Sequence, residues 1–328
     1  MERLARLLAG RMFELVLLTM MVAALLGSRI PGPFLALKPL APLLVFLMLL
    51  QPGFALQLRG LRERLKRKSV YVGVSLMLYA IVYPLLLIPF IGFAATLLQG
   101  KLREVLVGGV LVALAPVAMP APAIVSLNGG DAELSLITVV VTFLAAPFVM
   151  PLYAGVLLHR LVSLRVAAIV EAIVVFIGGS LAAGQALRYL VARAAARRGL
   201  EAAAVARLLA TLLSIVSCLS LYLLVAIVTG CAARALLANM ASVACYTVIL
   251  LVYDTLRYIV GYAAARLVHA DCPARLALVA AGSENGALGM ALATPLGSLP
   301  AAGAVIAGPL LVLPTLTLFA RMFACWGG

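Results

Sequence analysis

Charge is what this chain has least of. Only 11% of its 328 residues are Asp, Glu, Lys or Arg, against roughly 25% in ordinary soluble domains. It has two histidines, one tryptophan and five cysteines. None of the cysteines (Cys218, Cys231, Cys245, Cys272, Cys325) falls in a CxxC or another paired spacing, which excludes a secreted disulfide scaffold and leaves them as small hydrophobes in apolar runs. His159 and His269 stand at the ends of apolar runs with no second ligand nearby, so the sequence assembles no metal site. HExxH, GxSxG and Walker loops are all absent, and with them the usual constellations of an enzyme. The two basic runs, Arg59–Lys68 and Arg188–Arg207, have no aromatic residues spaced for stacking on bases, so nucleic acid is not an expected partner.

What the chain has is apolar surface: 66% of its residues are hydrophobic. A soluble domain cannot bury that much, because single cores stop growing near ~250–300 residues. A bilayer can. Ten spans of ~20 residues would use nearly all of it. The expected spans are 9–28, 36–57, 69–98, 104–129, 132–157, 163–188, 204–230, 235–265, 275–296 and 299–321. Arg3, Arg6 and Arg11 ahead of the first run imitate a signal peptide, but Glu14 inside it and nine further spans behind it favour retention. The net charge of +14 then becomes an orientation signal. With the N-terminus inside, Lys and Arg concentrate in the inner loops, notably 59–68, 188–207 and 266–275, which places both termini in the cytoplasm of a multi-pass inner or plasma membrane protein. Leu200–Arg207 reads as a basic amphipathic connector at the inner headgroup surface.

A shift of 162 residues lays Leu144-Ala145-Ala146-Pro147 onto Ile306-Ala307-Gly308-Pro309 and carries Pro122 onto Glu284. Each half then holds five spans, residues 1–160 and 161–328, and an odd number makes the second half enter from the opposite face. Inverted repeats of this kind mark secondary transporters, which bind substrate near the midplane where paired helices are broken. Span 4 carries Pro116, Pro120 and Pro122, each of which removes a backbone donor, and Asn128-Gly129-Gly130 ends it. Span 9 is interrupted by the polar Gly282-Ser283-Glu284-Asn285-Gly286. Exposed backbone at membrane depth is tolerated only where protein buries it or a wet cavity adjoins it.

Ionisable side chains at that depth each need a reason. Glu284, between Ser283 and Asn285 in the span 9 break, either binds a cation or proton or caps a broken helix end. Asp254 and Arg257, three apart in span 8, share a face and read as an intramembrane ion pair or a coupling relay. Thr138 and Thr142, one turn apart on span 5, either face span 4 or bond back to their own helix. Glu14 and Glu171 read as interfacial, and Asp131 and Glu133 as a solvated turn.

The run Pro120-Ala-Pro-Ala-Ile-Val-Ser-Leu-Asn-Gly-Gly-Asp-Ala-Glu-Leu-Ser-Leu136, followed by Ala146-Pro147-Phe-Val-Met-Pro151, resembles the fourth and fifth spans of the bile acid–sodium symporter superfamily, which includes the arsenite-efflux permeases. Ser283-Glu-Asn-Gly-Ala-Leu-Gly289 resembles its second crossover. The resemblance implies a core of spans 3–5 and 8–10, a panel of spans 1–2 and 6–7, crossing of spans 4 and 9, and sodium-driven transport of organic anions. The chain departs from the family where a small hydroxyl residue and Asn normally stand, having Ala121-Pro122. It departs again at the usual glutamate, having Ala280, while Glu284 holds the glutamine position. A single cation, sodium or proton, therefore competes with two-sodium coupling. Val117 and Ala118 stand where the arsenite permeases depend on cysteine, which demotes metalloid efflux to the alternative; an embedded sensor or enzyme ranks lower.

The expectation is an all-α polytopic membrane protein of about ten helices, a secondary transporter of a small organic anion working by alternating access in the lipid bilayer. The expected cation site is Glu284, Ser283, Asn285, Thr138 and Thr142. The expected substrate site is Asn285, Pro120, Ala121, Pro122, Ala123 and Asn128, with the Asp254–Arg257 pair nearby. No cofactor is expected beyond the coupling ion, Na+ or H+.

Overall fold

The computed structural model describes residues 11–55, 61–97, 103–158, 171, 174–198 and 201–323. Arg3, Arg6, His159, Cys325 and most of the first half of the sixth expected span lie outside them. Among the described residues the chain is helical throughout, with no strand. In order these are α1 (Met12–Arg29), α2 (Gly32–Ala55), α3 (Leu61–Arg67), α4 (Ser69–Leu97), α5 (Arg103–Ala113), α6 (Ala121–Leu127), α7 (Ala132–Leu158), α8 (Ser180–Arg197), α9 (Ala202–Ala238), α10 (Met240–Leu267), α11 (Cys272–Ala280), α12 (Gly286–Ala293), α13 (Ser298–Val305) and α14 (Leu313–Met322). Five of them, α2, α4, α7, α9 (from Ala203) and α10, are long and apolar enough to cross a membrane. Leu18, Met21 and Leu25 on α1 and Phe148, Leu152 and Val156 on α7 are exposed. Rows of this kind suit contact with lipid tails, not water. The chain is an all-α polytopic membrane protein.

Two compact units divide the chain. The first, 1–56 with 171–237, packs α2 against α8. Gly184 and Gly53 meet backbone to backbone, Gln185 Nε2 donates to Gly53 O at 2.7 Å, and Ser217 Oγ donates to Met48 O at 3.2 Å. Side-chain donors reaching freed carbonyls and small residues at close crossings are what hold helices together in lipid, where apolar burial between helices gives little. Leu200–Arg207 is not a separate surface connector as expected. Residues 202–207 are the first turns of α9, because Ala-rich sequence with no breaker continues a helix. At 37 residues that helix is about 55 Å long, well beyond a ~30 Å hydrocarbon core.

The second unit, 57–170 with 238–328, holds both interrupted helices. Each of its segments carries a long helix, a broken pair and a further helix: α4, α5–α6 and α7, then α10, α11–α12 and α13–α14. At one end of this unit three turns gather. Lys68 Nζ donates to Asp131 Oδ1 at 2.7 Å, Arg67 pairs with Glu133 at 2.8 Å, and the Asp131 N–H donates to Pro273 O at 2.9 Å. Asp131 and Glu133 are therefore paired and only partly exposed, where a solvated turn was expected. Asp131 also caps α7 by accepting the Leu134 N–H at 2.9 Å. Such pairs contribute about 0–1 kcal/mol each near a surface.

Local chemistry explains the ends and bends. After α6, Gly129 adopts φ +76°; its N–H donates to Ser126 O at 3.2 Å while the Gly130 N–H donates to Val125 O at 2.9 Å. This closes the helix end as glycine in the left-handed region commonly does. In α4, Pro84 cannot donate to the preceding turn and crowds it, and that turn widens into a π-helical stretch at Leu78–Val82. Pro309 lies in another such stretch, Ile306–Val312. Of the cysteines, Cys218 is a buried free thiol, Cys231 is half-buried and Cys245 exposed. Cys272 is disulfide-bonded, which its sequence spacing did not suggest.

Candidate functional site

The first interruption runs from Leu114 to Pro120, between α5 and α6. Pro116 is the breaker. Pro120 occupies the N-cap of α6 and Pro122 its first turn, where a missing N–H costs nothing. The unwound backbone is therefore Pro116-Val117-Ala118-Met119, one turn earlier than the Pro120–Ala123 stretch expected to meet substrate. Of those four, Ala121 is buried, Pro120 and Pro122 are half-buried, and Ala123 is exposed. Asn128 is not part of the break. It lies at the far end of α6, about 10 Å along the helix, where its Nδ2 donates to Ile124 O at 2.8 Å.

The freed backbone groups find specific partners. The Leu114 carbonyl accepts from Tyr79 Oη at 3.2 Å, the Pro116 carbonyl accepts from the Asn285 N–H at 2.7 Å, and the Val117 N–H donates to Thr142 Oγ1 at 3.2 Å. Thr142 Oγ1 in turn donates to Thr138 O at 2.9 Å, and Thr138 Oγ1 donates to Ser75 Oγ at 3.2 Å. Thr142 thus does both things expected of it: it bonds back to its own helix and it holds the broken one. Ser135, on the same face of α7, is buried with its Oγ unpartnered. Thr142→Val keeps the shape but strands the Val117 N–H. Its expected cost is about 1–3 kcal/mol, read as a lowered thermal midpoint of the purified protein against Thr247→Val, a control on a partly exposed hydroxyl.

The second interruption, Ala281 to Asn285, separates α11 from α12. Ser283 Oγ donates to Ala280 O at 2.7 Å, and Asn285 caps α12, its Oδ1 accepting the Leu288 N–H at 3.0 Å. Ser283, Glu284 and Asn285 are all buried. The Asn285 N–H to Pro116 O bond joins the two breaks directly, so the structure brings together Ser283, Glu284, Asn285, Thr142 and, through Thr142, Thr138.

The ion pair at this site is not the one expected. Arg257 Nη1 meets Glu284 Oε1, and no ion pair joins Arg257 to Asp254. Three residues of spacing puts 254 and 257 near the same helix face, but the second break carries Glu284 to the end of the long guanidinium. Gly282 makes room: a Cβ there would lie 3.1 Å from Tyr258 Cδ1 and 3.2 Å from the Arg257 carbonyl carbon. Arg257 is 1% exposed and Glu284 2%. The guanidinium carbon lies 4.5 Å from the Tyr83 ring centroid and 5.4 Å from that of Tyr253, both favourable for a cation. Tyr253 Oη donates to Tyr83 O at 3.1 Å. Glu284 Oε2, Arg257 Nε and Asp254 Oδ2 are buried without a partner.

Sequence reading missed the tyrosines. Tyr79 and Tyr83 are four apart and immediately precede Pro84, and the widened turn that proline causes aims one hydroxyl at the first break and lays the other ring on Arg257. Aromatic residues one turn apart ahead of a proline in an apolar run were the available signal.

Residues 42–239, more than half of the chain, match the model of the Sodium Bile acid symporter family. The matched stretch contains the first break and ends before the second. No curated protein matches the chain.

Proposed function

The chain belongs to the sodium bile acid symporter family, a family of membrane transporters, and from that premise we propose that it is a secondary active transporter of a small organic anion, coupled to sodium or protons and working by alternating access. Its two five-helix halves, 1–160 and 161–328, run in opposed directions, with the broken pairs α5–α6 and α11–α12 crossing near the midplane. Spans 3–5 and 8–10 form a core and spans 1–2 and 6–7 a panel, in a cell membrane with both termini cytoplasmic. The like order of elements in the two segments of the second unit supports this reading, as does the gathering of Lys68, Asp131 and Pro273 at one end, since all three turns are assigned to the inner face.

One observation carries the site assignment. Glu284 is buried in a helix break that is hydrogen-bonded to the other break, and its Oε2 has no protein partner. A carboxylate oxygen left bare in a low-dielectric interior is a strong ligand for Na+ or H+, and of the two such oxygens among the described residues, Glu284 Oε2 and Asp254 Oδ2, only the first lies in a helix break. Ser283, Asn285, Thr138 and Thr142 complete the polar surroundings, and the Pro116–Met119 backbone adjoins the anion.

Glu284→Gln keeps an acceptor for Arg257 and removes the charge. In proteoliposomes under a sodium or proton gradient, it is expected to reduce gradient-driven anion uptake to background while counterflow without a gradient persists. Undiminished gradient-driven uptake would rule the assignment out.

A further inference from the structure

We propose that the buried Arg257–Glu284 pair is a lock opened only by a coupling cation and a substrate anion together, and that the Arg257 guanidinium is the anchor for the anion's carboxylate. This rests on the reading of Glu284 as the cation site and adds what the other half of the pair does. Both partners are withdrawn from solvent, and each has one polar atom to spare: Oε2 on Glu284 and Nε on Arg257. A cation arriving at Glu284 alone strands a guanidinium in the membrane interior. An anion arriving at Arg257 alone strands a carboxylate. Either intermediate carries the cost of an unpaired buried charge. When both arrive, two neutral pairs replace one, and the barrier to joint entry disappears. Tight coupling follows from charge balance, without any contact between the two ligands.

The surroundings fit an arginine that changes partners. A guanidinium offers a planar fork matched to a carboxylate, and aromatic rings hold its plane without consuming its donors. Tyr83 and Tyr253 provide such rings. Tyr83 Oη donates to the Arg257 carbonyl at 3.4 Å, and the Tyr253 hydroxyl, which donates to Tyr83 O, also takes a hydrogen bond from the Arg257 side chain, a neutral phenol contact that the guanidinium can exchange for a carboxylate. The titratable groups around Arg257 are Glu284, Asp254, Tyr253 and Tyr258, with Tyr79 and Tyr83 facing it from α4. Asp254 is the one other carboxylate of this group. A handover of Arg257 to Asp254 would release Glu284 with no anion at all, so Asp254 must be tested alongside.

The test is cation-dependent thermal stabilisation of the purified full chain in detergent. Sodium replaces choline at constant ionic strength in one arm, protons are titrated in choline in the other, and cholate is the probe anion. In the wild type, cholate is expected to lower the cation midpoint by about tenfold or more, the scale of a close buried charge pair. Arg257→Gln should show the lowered midpoint without cholate and no further response to it. Arg257→Lys, which keeps the charge and loses the fork, should keep the wild-type cation midpoint and need about tenfold more cholate; it carries the test if Arg257→Gln does not fold. Asp254→Asn should keep the synergy. A wild type indifferent to cholate, an Arg257→Gln protein with wild-type responses, or an Asp254→Asn protein without synergy each overturns the proposal. Glu284→Gln separates the two readings. If it keeps the wild-type cation response, the cation site itself is misassigned; if it loses that response while Arg257→Gln behaves as wild type, only the lock fails.

Discussion

Arg257→Met is expected to destabilise the protein by about 3–5 kcal/mol, and Arg257→Met/Glu284→Gln to recover most of that loss. The asymmetry comes from what each variant leaves behind. The single change strands a carboxylate that is 2% exposed and already has one oxygen without a partner. The double change leaves a neutral amide beside an unbranched apolar side chain of volume similar to the arginine's, though two atoms shorter. Replacing a buried pair by neutral groups is often close to energetically neutral, whereas breaking one is not. Lost stacking on Tyr83 and Tyr253 is common to both variants and adds about 0.5–2 kcal/mol to each. Thermal unfolding of the four proteins of the cycle in one detergent reads the difference. If single and double variants fall equally, the arginine acts through its packing, and the charge-balance argument for coupling loses its basis.

The same residues show how far the sequence could be read. Helices, an apolar exterior and a break at the prolines follow from short-range chemistry: few charges, long apolar runs and residues that cannot donate. The identity of the breaking proline did not follow, because Pro116, Pro120 and Pro122 are equivalent until the start of α6 is known. Once that helix begins at Ala121, two of them sit where proline is harmless. Arg257 was harder. On a bare helix Asp254 is its natural neighbour, and only the meeting of α10 with a second broken helix offers Glu284, 27 residues further on, as a better-placed partner. Glu284 itself stood out because a carboxylate in an apolar run needs a reason; which cation answers it depends on groups from several helices. The role of Asn285 as a cap and a bridge to Pro116 is likewise a product of tertiary placement.

Close helix contact supports the site from behind, and disturbing it should carry a cost of its own. Gly108 on α5 and Gly303 on α13 face each other's helices so closely that a Cβ on Gly108 would overlap Pro300 O, and one on Gly303 would overlap Val105 O. The obstructing atoms are backbone carbonyls, which cannot swing aside as a side chain can. A single added methyl must push the helices apart, at about 1–3 kcal/mol for each of Gly108→Ala and Gly303→Ala, and Gly303→Leu should lie at the top of that range or above it. The displacement also reaches the site. Gly289 on α12 packs against Val112 of the same α5, and α12 is held at its start by Asn285, whose N–H bonds to Pro116 just beyond the end of α5. Pushing α5 away from α13 therefore strains the bond that joins the two breaks. Gly73→Leu is the matched control, on an exposed face of α4 where an added Cβ meets nothing within 4 Å; helix propensity alone should make it stabilising, by up to about 1 kcal/mol. Thermal midpoints and the yield of monodisperse protein compare the set. If Gly303→Leu is as stable as Gly73→Leu, α5 and α13 do not pack backbone to backbone, and the support this contact gives to the Asn285–Pro116 junction goes with it.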